Sequence, residues 1–258
     1  MSKRLNRRDF LKVTALAAGA ATATRIAGQA AAEEGAGAGR GPQQWAMVID
    51  QSKCIDCGYC TLACQAHNDI NPDIQWTRVD PAGQVDGKDV YLPRPCMHCT
   101  KAPCVDVCPV NASYYRADGI VMMDYDRCIG CRYCEVACPY QARSFNWKAF
   151  DGPNPAVPDW GQPEVPRRPR GVVEKCSFCY QRIDRGLVSG LQPGMDADAS
   201  PACVAVCPTG ARIFGDLNDP ASNVSKALKS HVTYRLRESL GTEPRVYYIP
   251  ADAQAMEG

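Results

Sequence analysis

Cysteine is the residue here that offers chemistry, and it comes in runs. The segment "CIGCRYCEVACPY" (128–140) puts four thiols into eleven residues and follows the last with proline. Thiols so close cannot all pair with one another without strain, so an external group must hold them. Three further sets follow the same plan: "CIDCGYCTLAC" (54–64), "CMHCTKAPCVDVC" (96–108), and "CSFC" at 176 completed by "CVAVCP" at 203. Together they use Cys54, Cys57, Cys60, Cys64, Cys96, Cys99, Cys104, Cys108, Cys128, Cys131, Cys134, Cys138, Cys176, Cys179, Cys203 and Cys207, which are all sixteen cysteines of the chain.

Three chemistries use such patterns. Disulfide frameworks belong mostly to short secreted domains that lack a core, whereas 258 residues are enough for one core or two small ones. Structural zinc usually takes two Cys-x-x-Cys pairs separated by a longer loop. The run C-x2-C-x2-C-x3-C-P is the bacterial ferredoxin pattern, in which soft thiolates hold a [4Fe–4S] cluster and the fourth cysteine reaches a second one. Iron–sulfur ligation fits best, and iron content separates it from a zinc-stapled interaction module. The crossing rule then assigns ligands. Cys128, Cys131 and Cys134 share a cluster with Cys108, and Cys96, Cys99 and Cys104 share one with Cys138. The outer motifs pair likewise: Cys54, Cys57 and Cys60 with Cys207, and Cys176, Cys179 and Cys203 with Cys64. The outcome is a row of four [4Fe–4S] clusters.

A duplication must position these ligands. "MVIDQSKCIDCGYCTLAC" (47–64) aligns without gaps on "VMMDYDRCIGCRYCEVAC" (121–138), and "PCVDVCPVNA" (103–112) on "ACVAVCPTGA" (202–211). "WAMVID" at 45, "GIVMMD" at 119 and "ARIFGD" at 211 read as short strands beside the cluster loops. "ASYYRADGIVMMD" reads as a hairpin turning at Ala117-Asp118-Gly119. Helices are expected to begin near each fourth cysteine. The fold class is α+β, with duplicated bacterial two-cluster ferredoxin-like modules interleaved in sequence. Residues 45–89 and 146–215 form the outer module, 90–145 the inner one, and 216–258 a C-terminal tail.

The N-terminus carries "NRRDFLK" (6–12), then an Ala/Gly/Thr-rich stretch and small residues up to Ala32. This reads as a twin-arginine export signal over 1–32, cleaved after Ala32, with a flexible leader over 33–44. Asn6 stands where Ser or Thr is usual. Residues 13–32, with Arg25 inside, are too weakly apolar for a membrane span. The route carries folded proteins, so clusters are inserted before export to the periplasm. The formal net charge is +1, and taking away the net +5 of residues 1–32 leaves about −4. Nucleic acid is therefore excluded as a partner. The run "RRPR" (167–170) reads as a solvated loop.

The four motifs, "DGIVMMDYDRCIGCRYCEVACPY", "GVVEKCSFC" and "FGDLNDPASNV…GTEPRVYYI" resemble the four-cluster iron–sulfur subunits of the dimethyl sulfoxide reductase type over about residues 45–249. That family includes the electron-transfer subunits of polysulfide, thiosulfate and tetrathionate reductases and the periplasmic iron–sulfur subunit of sulfite-reduction-associated membrane complexes. Nitrate-reductase-like relatives place tryptophan where this chain has Cys131, so four cubanes are implied here. The resemblance implies a non-catalytic subunit that passes single electrons between a redox partner and a polytopic quinone-reactive membrane subunit. The redox partner is a molybdopterin catalytic subunit or a multihaem cytochrome c, and the subunit is membrane-associated through its partners. No Ser/His/Asp grouping or phosphate-binding glycine loop argues otherwise. His98 either tunes a cluster by hydrogen bonding or is an exposed loop residue. His67 and His231 read as solvated, Tyr59 and Tyr133 as packing against the cubes, and Lys53, Arg127 and Arg132 as either favouring reduced clusters electrostatically or ordinary surface charges.

Overall fold

The computed structural model describes residues 41–252 apart from Trp160. The segments expected to be an export signal and, for the most part, a leader, together with the last six residues of the tail, lie outside the described residues. Strand β1 (Trp45–Asp50) is the middle of a three-stranded sheet. It pairs antiparallel with β8 (Arg212–Asp216) and parallel with β9 (Val246–Ile249). All six β1 residues are buried. Trp45, Met47 and Ile49 join the main core, while Ala46 and Val48 pack on Val224 and Ala227 of helix α6 (Asn223–Ser230). A strand covered on both faces carries apolar side chains at nearly every position, as this one does.

The central hairpin forms where the sequence places it. Strand β4 (Ser113–Tyr115) pairs with β5 (Val121–Met123), and Gly119 turns between them at φ +84°. The duplication is visible in register. Met123 faces Ser113 in the hairpin, and the equivalent Ile49 faces Arg212 in the β1–β8 pair. The next hydrogen bond is also repeated, Asp124 N to Ala112 O at 2.7 Å and Asp50 N to Ala211 O at 2.8 Å.

Two short pairings complete the sheets. Strand β2 (Arg78–Val85) pairs with β3 (Lys88–Arg94) through Asp86-Gly87, both at positive φ. This Asp-Gly turn is a strong hairpin signal, and the expectations drawn from sequence did not include it. Strand β6 (Ser144–Phe145) pairs with β7 (Val173–Glu174).

The helices correct the sequence expectation. Helix α1 (Tyr59–His67) and helix α3 (Tyr133–Ala137) begin just after the second cysteine of their motifs, not at the fourth. Gly58 at φ +74° and Arg132 at φ +62° reverse the chain there and start the helix. Helix α2 (Pro103–Asp106) holds Cys104 and α5 (Ala202–Ala205) holds Cys203. Helix α4 (Tyr180–Val188) follows Cys179. In motifs one and three the fourth cysteine lies four residues beyond the third, and at 1.5 Å per residue that is about 6 Å further along the helix axis. The fourth thiol is thus carried away from the third, to the C-cap of α3 for Cys138 and to the second half of α1 for Cys64.

The "RRPR" run is not a solvated loop. Arg168 is buried and donates to Glu174 Oε2 at 2.9 Å, which also accepts from Trp76 Nε1 at 3.2 Å. Arg167 bridges to Asp69 at 2.9 Å, and Arg170 alone of the three arginines is exposed. His67 is likewise not free in solvent, since its Nδ1 lies 3.0 Å from Glu164 Oε1. Arg182 donates to the same oxygen at 2.6 Å. Burial alone would raise the Glu164 carboxyl, but His67 and Arg182 hold it at about 2. A depressed carboxylate contributes stability that is present above the ordinary range near 4.5 and lost as pH falls toward 2. Glu164→Gln should therefore bleach faster than the parent protein near pH 7 in stopped-flow visible absorbance, and the difference should shrink as pH falls from about 4.5 to about 2.

Candidate cluster-binding sites

Each Cys-x-x-Cys loop turns in the same way. The residue before the second cysteine has positive φ in all four: Asp56 (+52°), His98 (+42°), Gly130 (+69°) and Phe178 (+53°). Such residues cost of order 1–3 kcal/mol each when they are not glycine, and they persist where the surroundings demand them. Alternation between right- and left-handed residues points successive N–H groups into one concavity, which suits an anionic guest. Only Gly130 announces this turn in the sequence.

The turns and helix packing gather cysteines that lie far apart in the chain. One cavity is lined by Cys54, Cys57, Cys60 and Cys207. A second is lined by Cys96, Cys99, Cys104 and Cys138. Cys64 is fully buried, with Cys179, Cys176 and Cys203 as its charged neighbours, because α1 packs on α5. In the remaining set, Cys134 lies beside Cys128, and α3 carries it against α2. Cys108 shares Arg143 with Cys134 as a neighbour, and Cys131 is exposed.

The thiols differ in electrostatics. Burial pushes Cys64 well up, and Cys176 and Cys203 up to about 12, with neighbouring thiolates adding to the effect. Cys108 and Cys207 go the other way. Burial would raise them, but N–H groups of Val110, Ala112 and Ser113 hold Cys108 below its usual value. The equivalent Thr209, Ala211 and Arg212 do the same for Cys207, with the Thr209 hydroxyl.

Three buried cations stand among the sulfurs, and the expectations drawn from sequence included none of them. Arg143 donates through Nη2 to Cys104 Sγ at 3.0 Å and to Ser113 Oγ at 2.6 Å, and through Nη1 to Met123 Sδ at 2.9 Å. Arg212 donates to Cys60 Sγ at 3.5 Å, Cys203 Sγ at 3.8 Å and Thr77 Oγ1 at 2.9 Å. Lys175 is 1 % exposed and donates to the Cys176 carbonyl at 2.5 Å. A signal for the arginines existed. "CPYQARSF" (138–145) and "CPTGARIF" (207–214) both place Arg five residues after the fourth cysteine.

Other expectations need correction. His98 is buried rather than exposed. Its Nδ1 accepts from Val121 N at 3.1 Å, and its ring lies 3.8 Å from that of Phe178. Tyr59 and Tyr133 are exposed, at 56 % and 61 %, and do not pack against the thiols. Each precedes the third cysteine on its helix, and adjacent helical residues face different ways. Lys53 and Arg127 are exposed and pair with Asp50, which is buried, and with Asp124, which is partly exposed. Arg132 lies over the Trp147 ring at 4.5 Å, and His231 is exposed.

The donor set fits a polynuclear iron–sulfur group. Among the described residues, no three His, Cys, Asp or Glu side chains close tightly enough to hold a single metal ion. Cysteines ring the two cavities instead, and soft thiolates favour iron–sulfur clusters. Arg143, which lines the second cavity, has a buried Nε without a partner among the described residues.

Comparison with known proteins agrees. A family described as "4Fe-4S dicluster domain" matches residues 43–112 and 127–211, and a second of the same description matches 88–151. The chain is 46% identical over 235 residues to the menaquinone reductase iron–sulfur cluster-binding subunit of Nitratidesulfovibrio vulgaris, covering 80% of this chain and 88% of that one. It is 37% identical to a polysulfide reductase chain of Wolinella succinogenes (81% and 95% covered). It is 36% identical to a tetrathionate reductase subunit of Salmonella typhimurium (81% and 73% covered).

Proposed function

Because this protein belongs to the family of iron–sulfur subunits of the dimethyl sulfoxide, polysulfide and tetrathionate reductases, we propose that its four [4Fe–4S] clusters form one conducting row between two partner subunits. It is an iron–sulfur electron-transfer subunit of an oxidoreductase complex. In our reading it is non-catalytic, and the ligands follow the crossed scheme. Cys54, Cys57, Cys60 and Cys207 hold one cluster, and Cys64, Cys176, Cys179 and Cys203 the next. Cys96, Cys99, Cys104 and Cys138 hold the third, and Cys108, Cys128, Cys131 and Cys134 the last. The two modules are then interleaved in the chain. The repeated register of β1–β8 and β4–β5 supports this.

The observation that carries the reading is the exposure of Cys57 and Cys131, which belong to the first and last clusters of that row. Around each lies a matching exposed apolar trio: Ile55, Tyr59 and Leu62 at one end, Ile129, Tyr133 and Val136 at the other. Exposed apolar clusters of this kind mark docking surfaces. One end serves a quinone-reactive membrane subunit and the other a molybdopterin subunit or multihaem cytochrome. The location is periplasmic, by the twin-arginine route.

Four measurements test these proposals. The purified chain should hold about sixteen iron atoms and as much sulfide. Cys138→Ser should alter the cluster of Cys96, Cys99 and Cys104 in paramagnetic resonance, and a change confined to the cluster of Cys128, Cys131 and Cys134 would refute the crossed ligands. Val136→Asp combined with Tyr133→Asp should weaken partner binding at one end at least tenfold in pull-down titrations, with iron content unchanged. Replacement of Arg7 and Arg8 by lysine should strand the protein in the cytoplasm on fractionation.

A further inference from the structure

Among the described residues, no carboxylate forms an ion pair with Arg143, Lys175 or Arg212. The buried Arg168 and Arg182, by contrast, face Glu174 and Glu164. An uncompensated buried cation costs several kcal/mol, so these three need another source of negative charge. Cysteines stand beside each of them, with Arg143 also a neighbour of Lys175, and in each case the cysteines come from two different sets. Arg212 reaches Cys60 of one set and Cys203 of the next, at 3.5 and 3.8 Å. Lys175 lies among Cys176 of that second set and Cys96 of the third. Arg143 reaches Cys104 of the third set at 3.0 Å and neighbours Cys134 of the last. There is one cation for each gap.

Each arginine lies five residues after the fourth cysteine of its motif, Cys138 or Cys207, although the duplication itself sets Arg212 level with Ser113. The gap between the halves has no arginine so placed, and Lys175, directly before Cys176, stands in it. The same gap is crossed by the contact of His98 with Phe178 at 3.8 Å.

Resting on the crossed-ligand reading, we propose that Arg143, Lys175 and Arg212 set the reduction potentials of the clusters on either side of them. Crossing a gap moves one electron: one cluster is oxidised, its neighbour is reduced, and no bond breaks and no proton must follow. The receiving cluster, already anionic with its thiolates, gains one more negative charge. A fixed cation beside it favours that reduced form and so raises its potential. Because each cation adjoins two clusters, it raises both and need not create a step between them. The electron therefore meets no barrier of uncompensated charge in the low-dielectric interior.

The test is potentiometric titration followed by electron paramagnetic resonance on the complete, cluster-loaded protein. Arg143→Gln, Lys175→Gln and Arg212→Gln should each lower two cluster potentials and leave the other two unmoved. We expect about a tenfold shift in the one-electron equilibrium, or about 59 mV. Arg143→Lys, which keeps the charge, should retain most of the parent potential. A glutamine variant that loses iron is replaced by Thr77→Asp, which leaves Arg212 in place. The new carboxylate would neutralise the guanidinium where Thr77 Oγ1 now accepts at 2.9 Å, and should lower the same two potentials. Unchanged potentials in loaded variants, a uniform shift of all four, or equal effects of lysine and glutamine would overturn the tuning role and leave the cluster reading intact. Fewer than four centres in the unsubstituted protein would instead overturn the cluster reading itself.

Discussion

Negative charge in the interior is the constraint on which this structure depends. Cysteines ligate iron only as thiolates, and half of these thiols are buried. Burial pushes the Cys64, Cys176 and Cys203 thiols above the ordinary range, so their thiolate forms are costly without a metal. Arg143 and Arg212 would then be buried charges with no counter-ion among the described residues. Clusters and cations thus need one another, and metal loading becomes part of folding. The N–H groups around Cys108 and Cys207, and the strained turns before each second cysteine, serve the same end by aiming dipoles at anionic sulfur.

Much of this was legible in the sequence because a duplicated metal motif fixes both its ligands and their spacing. The aligned runs 47–64 and 121–138 anticipated that β1 and β5 would be equivalent, and the matching registers bear this out. The start of the helices was misread because a helix needs only a chain reversal to begin, and Gly58 and Arg132 supply it early. Nothing about an arginine in isolation marks Arg132 for a left-handed turn. "RRPR" was read as solvated because charge runs usually are, and the partners that bury Arg168 lie at Asp69, Trp76 and Glu174. Burial of that kind is a tertiary fact. The cations at 143 and 212 were visible as a repeated Ala-Arg-x-Phe after Cys-Pro-x-x, but attention to cysteine alone passed over them.

His98 shows how a loop residue becomes structural. Its positive φ places the ring inside the protein, where the backbone of β5 fixes Nδ1 as an acceptor. The Phe178 ring, from the corresponding loop of motif four, lies against it. Two turns that share one geometry for ligand reasons therefore also supply the packing between them, and the same strain serves both purposes.

The position of β1 has a consequence for how the protein is made. Its antiparallel partner lies more than 160 residues later, and its parallel partner, Val246–Ile249, later still. Contacts of such separation form late and slowly. During synthesis β1 waits, apolar on both faces, until both of these distant partners have followed it. The hairpin of β4 and β5, by contrast, closes over six residues and can form at once. The centre of the molecule is therefore free to organise early, while its outer sheet closes only through contacts between distant segments.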